Sequence, residues 1–283
     1  MPSTSTIRQQ LTVPGPVPIH VDIHDGEGPA LVLIHGISGS GDTWLPVVPA
    51  LGQHFTPVTI DLRGHGRSGK PAHGYLYDAY IGDFDRVLET LELEHPLILG
   101  HSLGGLIALW WAARYPARAA ALVIEDSPLH SGEDFRAAFD NWIQLNAMSV
   151  EELRAHYAEA NPRWKAEVVQ HRAEQMTSTA PAVFSELRDD SMANHGVDRI
   201  AEIEHIESSA LLIHGDIETG GMVRPHDALD FERRLGNAVR ARIPRGAHTL
   251  HLDVMREFLD LAIPFLRRHA DAASHIPGHV LGT

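Results

Sequence analysis

The 283-residue chain contains no cysteine. That removes disulfides, thiolate nucleophiles and cysteine metal ligands at once, without fixing a compartment. No run of about 18 or more apolar residues occurs, so no membrane-spanning helix is expected. The opening residues, Met1-Pro2-Ser3-Thr4-Ser5-Thr6, lack a basic stretch followed by an apolar one. No secretory signal is therefore expected, and a cytoplasmic location is. Positive charge is scarce: 23 lysines and arginines stand against 37 acidic residues, a net charge of −14. Such a balance argues against nucleic acid or an anionic membrane as partner. Histidine is plentiful, at 20 residues. Yet no His-Glu-x-x-His string occurs, and His248-Thr249-Leu250-His251 has no third ligand nearby, so no metal site is expected.

What is present is an ordinary globular composition, 43% hydrophobic and 21% charged, at a length that suits one α/β domain with an insert. The organising stretch is Leu97-Ile98-Leu99-Gly100-His101-Ser102-Leu103-Gly104-Gly105. An apolar run of strand length ends at Gly100, and a helical run begins at Leu103. Ser102 stands at the corner, in the pattern Gly-x-Ser-x-Gly. The physical logic is a strand turning sharply into a helix, with the serine in a strained conformation and glycines where side chains would clash. The helix start offers free N–H groups to a developing negative charge. The bland alternative is a serine that only caps a helix.

Residues 7–13 and 17–25 alternate as edge strands, joined at Pro14-Gly15-Pro16. Strands are expected at 30–34, 57–61, 97–100, 121–126, 210–213 and 238–243; the continuous apolar run at 30–34 and the stretch 121–126 read as buried strands. Helices are expected at 43–51, 77–93, after Ser102, and at 252–269. Strand-like runs vanish between 127 and 207, where Trp, Met, Arg and Glu recur at helical spacing. The chain thus divides into a core, 1–126 with 208–283, and a helical cap insert, 127–207. Residues from 270 onward read as a mobile tail. Strands alternating with helices imply a mostly parallel sheet with helices on both faces. Ligands then bind at the carboxyl ends of the strands. Gly36, Ser102, Asp126, Asp216 and His248 all follow predicted strands and so converge on one edge.

These motifs resemble the α/β-hydrolase superfamily, in its esterase, lactonase and haloalkane dehalogenase-like branch. The carrying residues are His35-Gly36, Asp61-Leu62-Arg63-Gly64-His65-Gly66-Arg67-Ser68, Gly100-His101-Ser102-Leu103-Gly104-Gly105 and Pro244-Arg245-Gly246-Ala247-His248. The resemblance implies an α/β-hydrolase fold with an eight-stranded sheet and a helical cap, and no cofactor. Ser102 is then the nucleophile, His248 the base, and the backbone N–H groups of Ile37 and Leu103 the oxyanion hole. The acid has two candidates. Asp126 ends a strand beside Pro128, whereas Glu218 sits three residues past Gly215 in a glycine-rich loop; Asp216 and Glu125 are weaker alternatives. His35, His101 and His251 read as scaffold, and Arg63 as the partner of a carboxylate. Trp142 and Trp164 are candidate substrate contacts, with Met148, Tyr157 and Met176; packing between cap and core is their competing explanation.

A serine at position 102, not an aspartate, disfavours an alkyl-enzyme mechanism. The expected activity is hydrolysis of carboxylic esters or lactones of small apolar substrates by a monomer or homodimer. Carbon–carbon bond hydrolysis and cofactor-free perhydrolysis would use the same residues. A ligand receptor with vestigial hydrolysis is the reading from a different class.

Overall fold

The computed structural model describes residues 6–281, except 131–132, 163 and 194–197. The opening segment 1–5, on which the absence of a signal was argued, lies outside the described residues. Eight strands form one sheet: β1 (Ile7–Val13), β2 (Ile19–His24), β3 (Ala30–Ile34), β4 (Thr56–Ile60), β5 (Leu97–His101), β6 (Ala121–Glu125), β7 (Ser209–His214) and β8 (Ala238–Arg242). Their spatial order is β1-β2-β4-β3-β5-β6-β7-β8. β2 pairs antiparallel with both β1 and β4, and β3 to β8 run parallel. This is the α/β-hydrolase arrangement that the motifs imply.

The buried strands show why continuous apolar runs were needed. Successive side chains point to opposite faces, and both faces are covered. Ala30, Val32, Ile34, Ile98, Leu122 and Ile124 join one core cluster, packed under α2 (Tyr77–Thr90) and α3 (Leu103–Arg114). Leu31, Leu33, Leu97, Leu99, Ala121 and Val123 join the other, with Trp44, Phe258 and Leu266. Trp44, Trp110 and Trp111 are all buried core residues.

Three expectations change in detail. The helix foreseen at 43–51 is two short pieces, a 3-10 turn at Gly41–Trp44 and α1 (Val48–Leu51); Pro46 and Pro49 lie in that stretch and have no N–H to continue a helix. The terminal helix is divided at Val254 into α10 (Leu250–Asp253) and α11 (Met255–Arg267). The tail is docked along its described length. Ser274 bonds through its backbone to Ala30 and His95, and Ile276 is buried.

Between β6 and β7 the described residues form helices and no strand: α4 (Glu133–Asn146), α5 (Val150–Ala160), α6 (Ala166–Ser178), α7 (Pro181–Ala193) and α8 (Arg199–Ile203). α5 begins with a reciprocal capping box, Ser149 with Glu152. Leu145, Leu153, Tyr157, Val169, Met176 and Phe184 give this insertion its own small core. It packs on the first core cluster through Phe135, Phe139, Val183 and Leu187, and polar contacts add to this. Gln175 Nε2 donates to Ser40 Oγ at 2.7 Å, and Ala180 N donates to Gly64 O at 2.8 Å.

Candidate active site

Ser102 occupies the corner between β5 and α3 with φ +52° and ψ −116°. Such a conformation is costly for a residue with a side chain and persists only when the surroundings enforce it. Here they do. Ser102 N donates to Glu125 O at 3.0 Å, which extends β5–β6 pairing into the corner. A Cβ at Gly100 would lie 2.5 Å from Gly104 O, and one at Gly104 would lie 2.2 Å from Ile34 O. The two glycines of the motif are thus required by close backbone approach.

The His35-Gly36 turn abuts this corner. A Cβ at Gly36 would stand 2.7 Å from His101 Nδ1 and 3.1 Å from Ser102 Cβ. The next amide is that of Ile37. Neither Ile37 N nor Leu103 N has a backbone acceptor among the described residues, and the side chains of both line the same cavity as Ser102. His35 is fixed behind the turn. Its Nδ1 donates to Gly36 O at 2.7 Å, and its Nε2 accepts from Leu62 N at 3.0 Å. Burial lowers its pKa to about 4. His65 accepts from Ser38 N and donates to Arg63 O, and burial holds it well below the usual imidazole range too. These rings are neutral hydrogen-bonded scaffold.

Asp126 follows β6, fully buried, with φ +42°. Its Oδ1 accepts from Gly215 N at 3.1 Å, and its Oδ2 accepts from Met222 N and from His248 Nδ1, both at 2.8 Å. The last contact fixes the tautomer: an ionised carboxylate only accepts, so Nδ1 carries the proton and Nε2 is left basic. His248 is held from the other side as well. Its carbonyl is 3.0 Å from His101 Nε2, and the two rings stand 4.6 Å apart between centroids. His101 directly precedes Ser102, so the imidazole loop is tied to the serine corner. Burial, with His248 and His251 adding to it, keeps His101 neutral.

The structure separates the two candidate acids. Glu218 is exposed in a 3-10 turn (Ile217–Thr219), while Asp126 alone among the four carboxylates considered bonds His248. Asp216 ties its loop to the His248 loop, accepting from Arg245 N at 2.9 Å. Glu125 pairs with His251 at 2.8 Å, both fully buried. Arg63 grips Asp83 with two bonds, of 2.6 and 2.8 Å.

A narrow cavity with about 40 Å³ of free space opens at Ser102. Its walls are mostly apolar: Ile37, Leu103, Leu106, Phe135, Phe139, Trp142, Leu187 and Met222. Trp142 therefore lies where a substrate contact was expected. Trp164 does not. Its Nε1 donates to Asp253 Oδ1 at 2.9 Å, and its ring packs with Tyr157. Met148, Tyr157 and Met176 belong to the insertion's own core. Sequence reading missed Met222, whose amide supports Asp126, and His130, which lines the cavity. The one available signal for His130 was its place just past the β6 carboxylates. Among the described residues no cluster suited to a metal ion occurs, and no helix is long and apolar enough to cross a membrane.

Comparison with known proteins gives the same fold. Residues 29–186, more than half of the chain, match the family model described as the alpha/beta hydrolase fold. An uncharacterized protein of Mycobacterium tuberculosis is 41% identical over 99 residues, 35% of this chain and 29% of that protein, so the chain spans under a third of that relative. The N-formylmaleamate deformylase of Pseudomonas putida is 29% identical over 245 residues, 83% of this chain and 87% of that enzyme. The solved structure of E-2-(acetamidomethylene)succinate hydrolase superposes with a TM-score of 0.78 at 21% identity, covering 91% of this chain and 98% of that one. With its eight-stranded sheet, its serine corner and this match, the chain belongs to the α/β-hydrolase family.

Proposed function

We propose that the protein is a serine hydrolase that cleaves carboxylic esters or lactones of small, largely apolar substrates through an acyl-enzyme. Ser102 Oγ attacks the carbonyl carbon while His248 Nε2 takes its proton. Asp126 keeps the imidazole in the right tautomer and stabilises the imidazolium. The amides of Ile37 and Leu103 receive the oxyanion. His248 then protonates the departing alcohol oxygen as the carbon–oxygen bond breaks. Water, deprotonated by His248, adds to the acyl group, and Ser102 leaves with the proton returned. Residues 127–207 act as a cap over this chemistry.

The observation that carries the reading is the 2.8 Å bond from His248 Nδ1 to Asp126, with the His248 loop tied to the serine corner through His101. The apolar, narrow cavity supports a small substrate. Hydrolysis of a short p-nitrophenyl ester by wild type and Ser102→Ala is the test; undiminished turnover in the variant rejects the proposal.

A second reading has a specific support. The Pseudomonas relative is named a deformylase of a maleamate, which is amide chemistry. The same three side chains serve a carbon–nitrogen bond, with His248 protonating a leaving nitrogen. Rates on an ester and on the amide of the same acid separate the two. An amide cleaved as fast as its ester favours the second reading.

A further inference from the structure

The acid of the site is held within the core. Gly215 and Met222, whose amides serve Asp126, lie between β7 and α9 (Pro225–Arg234). The turn that carries the Ile37 amide is held differently, because part of its grip comes from the insertion.

That turn is Gly36-Ile37-Ser38-Gly39, closed by Gly39 N donating to Gly36 O at 3.1 Å. Gly36 O also accepts from His35 Nδ1. The peptide between Gly36 and Ile37 is planar and trans, so holding its oxygen fixes the opposite direction of the Ile37 N–H. Ser38, at the third position of the turn, has φ +60°. That position favours glycine, and a residue with a side chain is strained there. Ser38 is buried, so protein contacts must hold it. From the core side, its N donates to His65 Nε2 at 3.3 Å. From the insertion, Arg172 on α6 spans it: Nη1 donates to Ser38 O at 3.5 Å, and Nη2 to Ser38 Oγ at 3.4 Å. Nη1 also donates to Gln175 Oε1 at 3.0 Å. Gln175 Nε2 is anchored just beyond the turn, on Ser40 Oγ at 2.7 Å and Thr43 Oγ1 at 3.0 Å. Among the described residues no carboxylate lies within ion-pair distance of Arg172. Its guanidinium is committed to the turn rather than to an ion pair.

We infer that Arg172 is a positioning residue: carried by the insertion, it keeps Ser38 in its left-handed conformation and so keeps the Ile37 amide directed at the substrate's carbonyl oxygen. Seating of the insertion and readiness of the oxyanion turn are then one event. This rests on the reading of Ser102 as nucleophile and Ile37 N as oxyanion donor, and it gives the insertion a part in that chemistry beyond lining the cavity.

The test compares wild type and Arg172→Met on a short p-nitrophenyl ester and on a trifluoromethyl ketone, whose adduct with Ser102 Oγ carries a negative oxygen. Loss of an oxyanion donor outright costs about 10²- to 10³-fold. Arg172 acts at one remove and through long bonds, so kcat/KM should fall about tenfold, and ketone affinity by the same factor. Binding of the intact ester, read as Kd on Ser102→Ala with and without Arg172→Met, should change less than about twofold. In Ser38→Gly, where the third position of the turn carries no strain, the loss from Arg172→Met should shrink to about threefold or less. A residue that only docks the insertion would lower the denaturant midpoint and leave ketone affinity and kcat/KM unmoved; that result overturns the inference. So does a loss undiminished in Ser38→Gly. Should Arg172→Met fail to fold, Arg172→Lys, which keeps the charge and breaks the fork, carries the same comparison, with a loss of about threefold expected. A wild type that neither hydrolyses the ester nor forms the ketone adduct sinks the reading of Ser102 and the inference with it. Hydrolysis by wild type with both quantities unmoved in the variant overturns the positioning role alone.

Discussion

Two carboxylate–histidine pairs lie side by side in this molecule and differ in almost everything but chemistry. Glu125 and Asp126 are neighbours at the end of β6, and His248 and His251 share one loop and short helix. Each carboxylate takes one ring at 2.8 Å. Asp126–His248 keeps an open side: the imidazole is 24% accessible and the carboxylate is fully buried. Glu125–His251 has none, with both side chains at 0% and the His251 ring stacked on Trp44 at 4.3 Å. Strand alternation explains the difference. Glu125 follows the odd-numbered face of β6, which packs under α11, whereas the chain turns at Asp126 toward the loops at the sheet edge. The same chemical pair is thus partly open at one imidazole, where the proposed chemistry needs it, and a sealed fastening at the other.

The strongest way to break this comparison is at Asp126. Asp126→Asn should lower kcat/KM by about 10³- to 10⁴-fold, the scale for a triad imidazole left in the wrong tautomer. Glu218→Gln should change it less than about twofold. Steady-state kinetics on one ester checks both; equal losses would erase the distinction between the carboxylates. On the sealed side, His251→Leu leaves Glu125 buried without its ring partner, with only the residue-251 amide still donating to it. It should cost about 3–5 kcal/mol of stability, read from denaturant midpoints. The kcat of the folded fraction should drop by less than about tenfold.

Acid sharpens the contrast further. His35, His65 and His101 are neutral and buried, with pKa values below that of an unfolded histidine. The unfolded chain takes up their protons first as pH falls. Their contribution is therefore whole above about pH 6.5 and is lost between there and about pH 4, where His35 itself titrates. The loss approaches about 1.4 kcal/mol per pH unit for each such ring. Urea unfolding at pH 7.5 and 5.5 measures it; equal stability at the two values would contradict neutral burial.

The smallest effect separates the two tryptophans. Trp164→Phe should cost about 1 kcal/mol through its lost bond to Asp253, with acyl-chain preference unchanged. Trp142→Ala should shift that preference toward larger acyl groups, which a chain-length series reads directly.

How much of this was legible beforehand depended on range. The strands, the Ser102 corner and the edge on which they converge follow from short runs and from glycines whose clashes are local. Asp126 was readable as a candidate but not as the one of the four candidate carboxylates that bonds His248. That selection depends on the Gly215 and Met222 amides reaching it across β7, contacts between parts of the chain far apart in sequence. Trp164 was misplaced for the same reason: an aromatic at helical spacing suits a pocket or a core equally, and Asp253 decided it. The docked tail was invisible because its hold is on distant partners, the backbone of Ala30 and His95, with Ile276 its one large apolar side chain buried in the core cluster.

The central claim is that one alcohol, lifted onto a strained corner, is activated by a fixed imidazole. Reaction with a phosphonylating ester analogue, followed by peptide mass spectrometry, tests it most directly. The account predicts one adduct per chain, on the peptide carrying Ser102, formed far more slowly in Asp126→Asn. An unmodified Ser102 peptide, or labelling at the same rate in that variant, would contradict it.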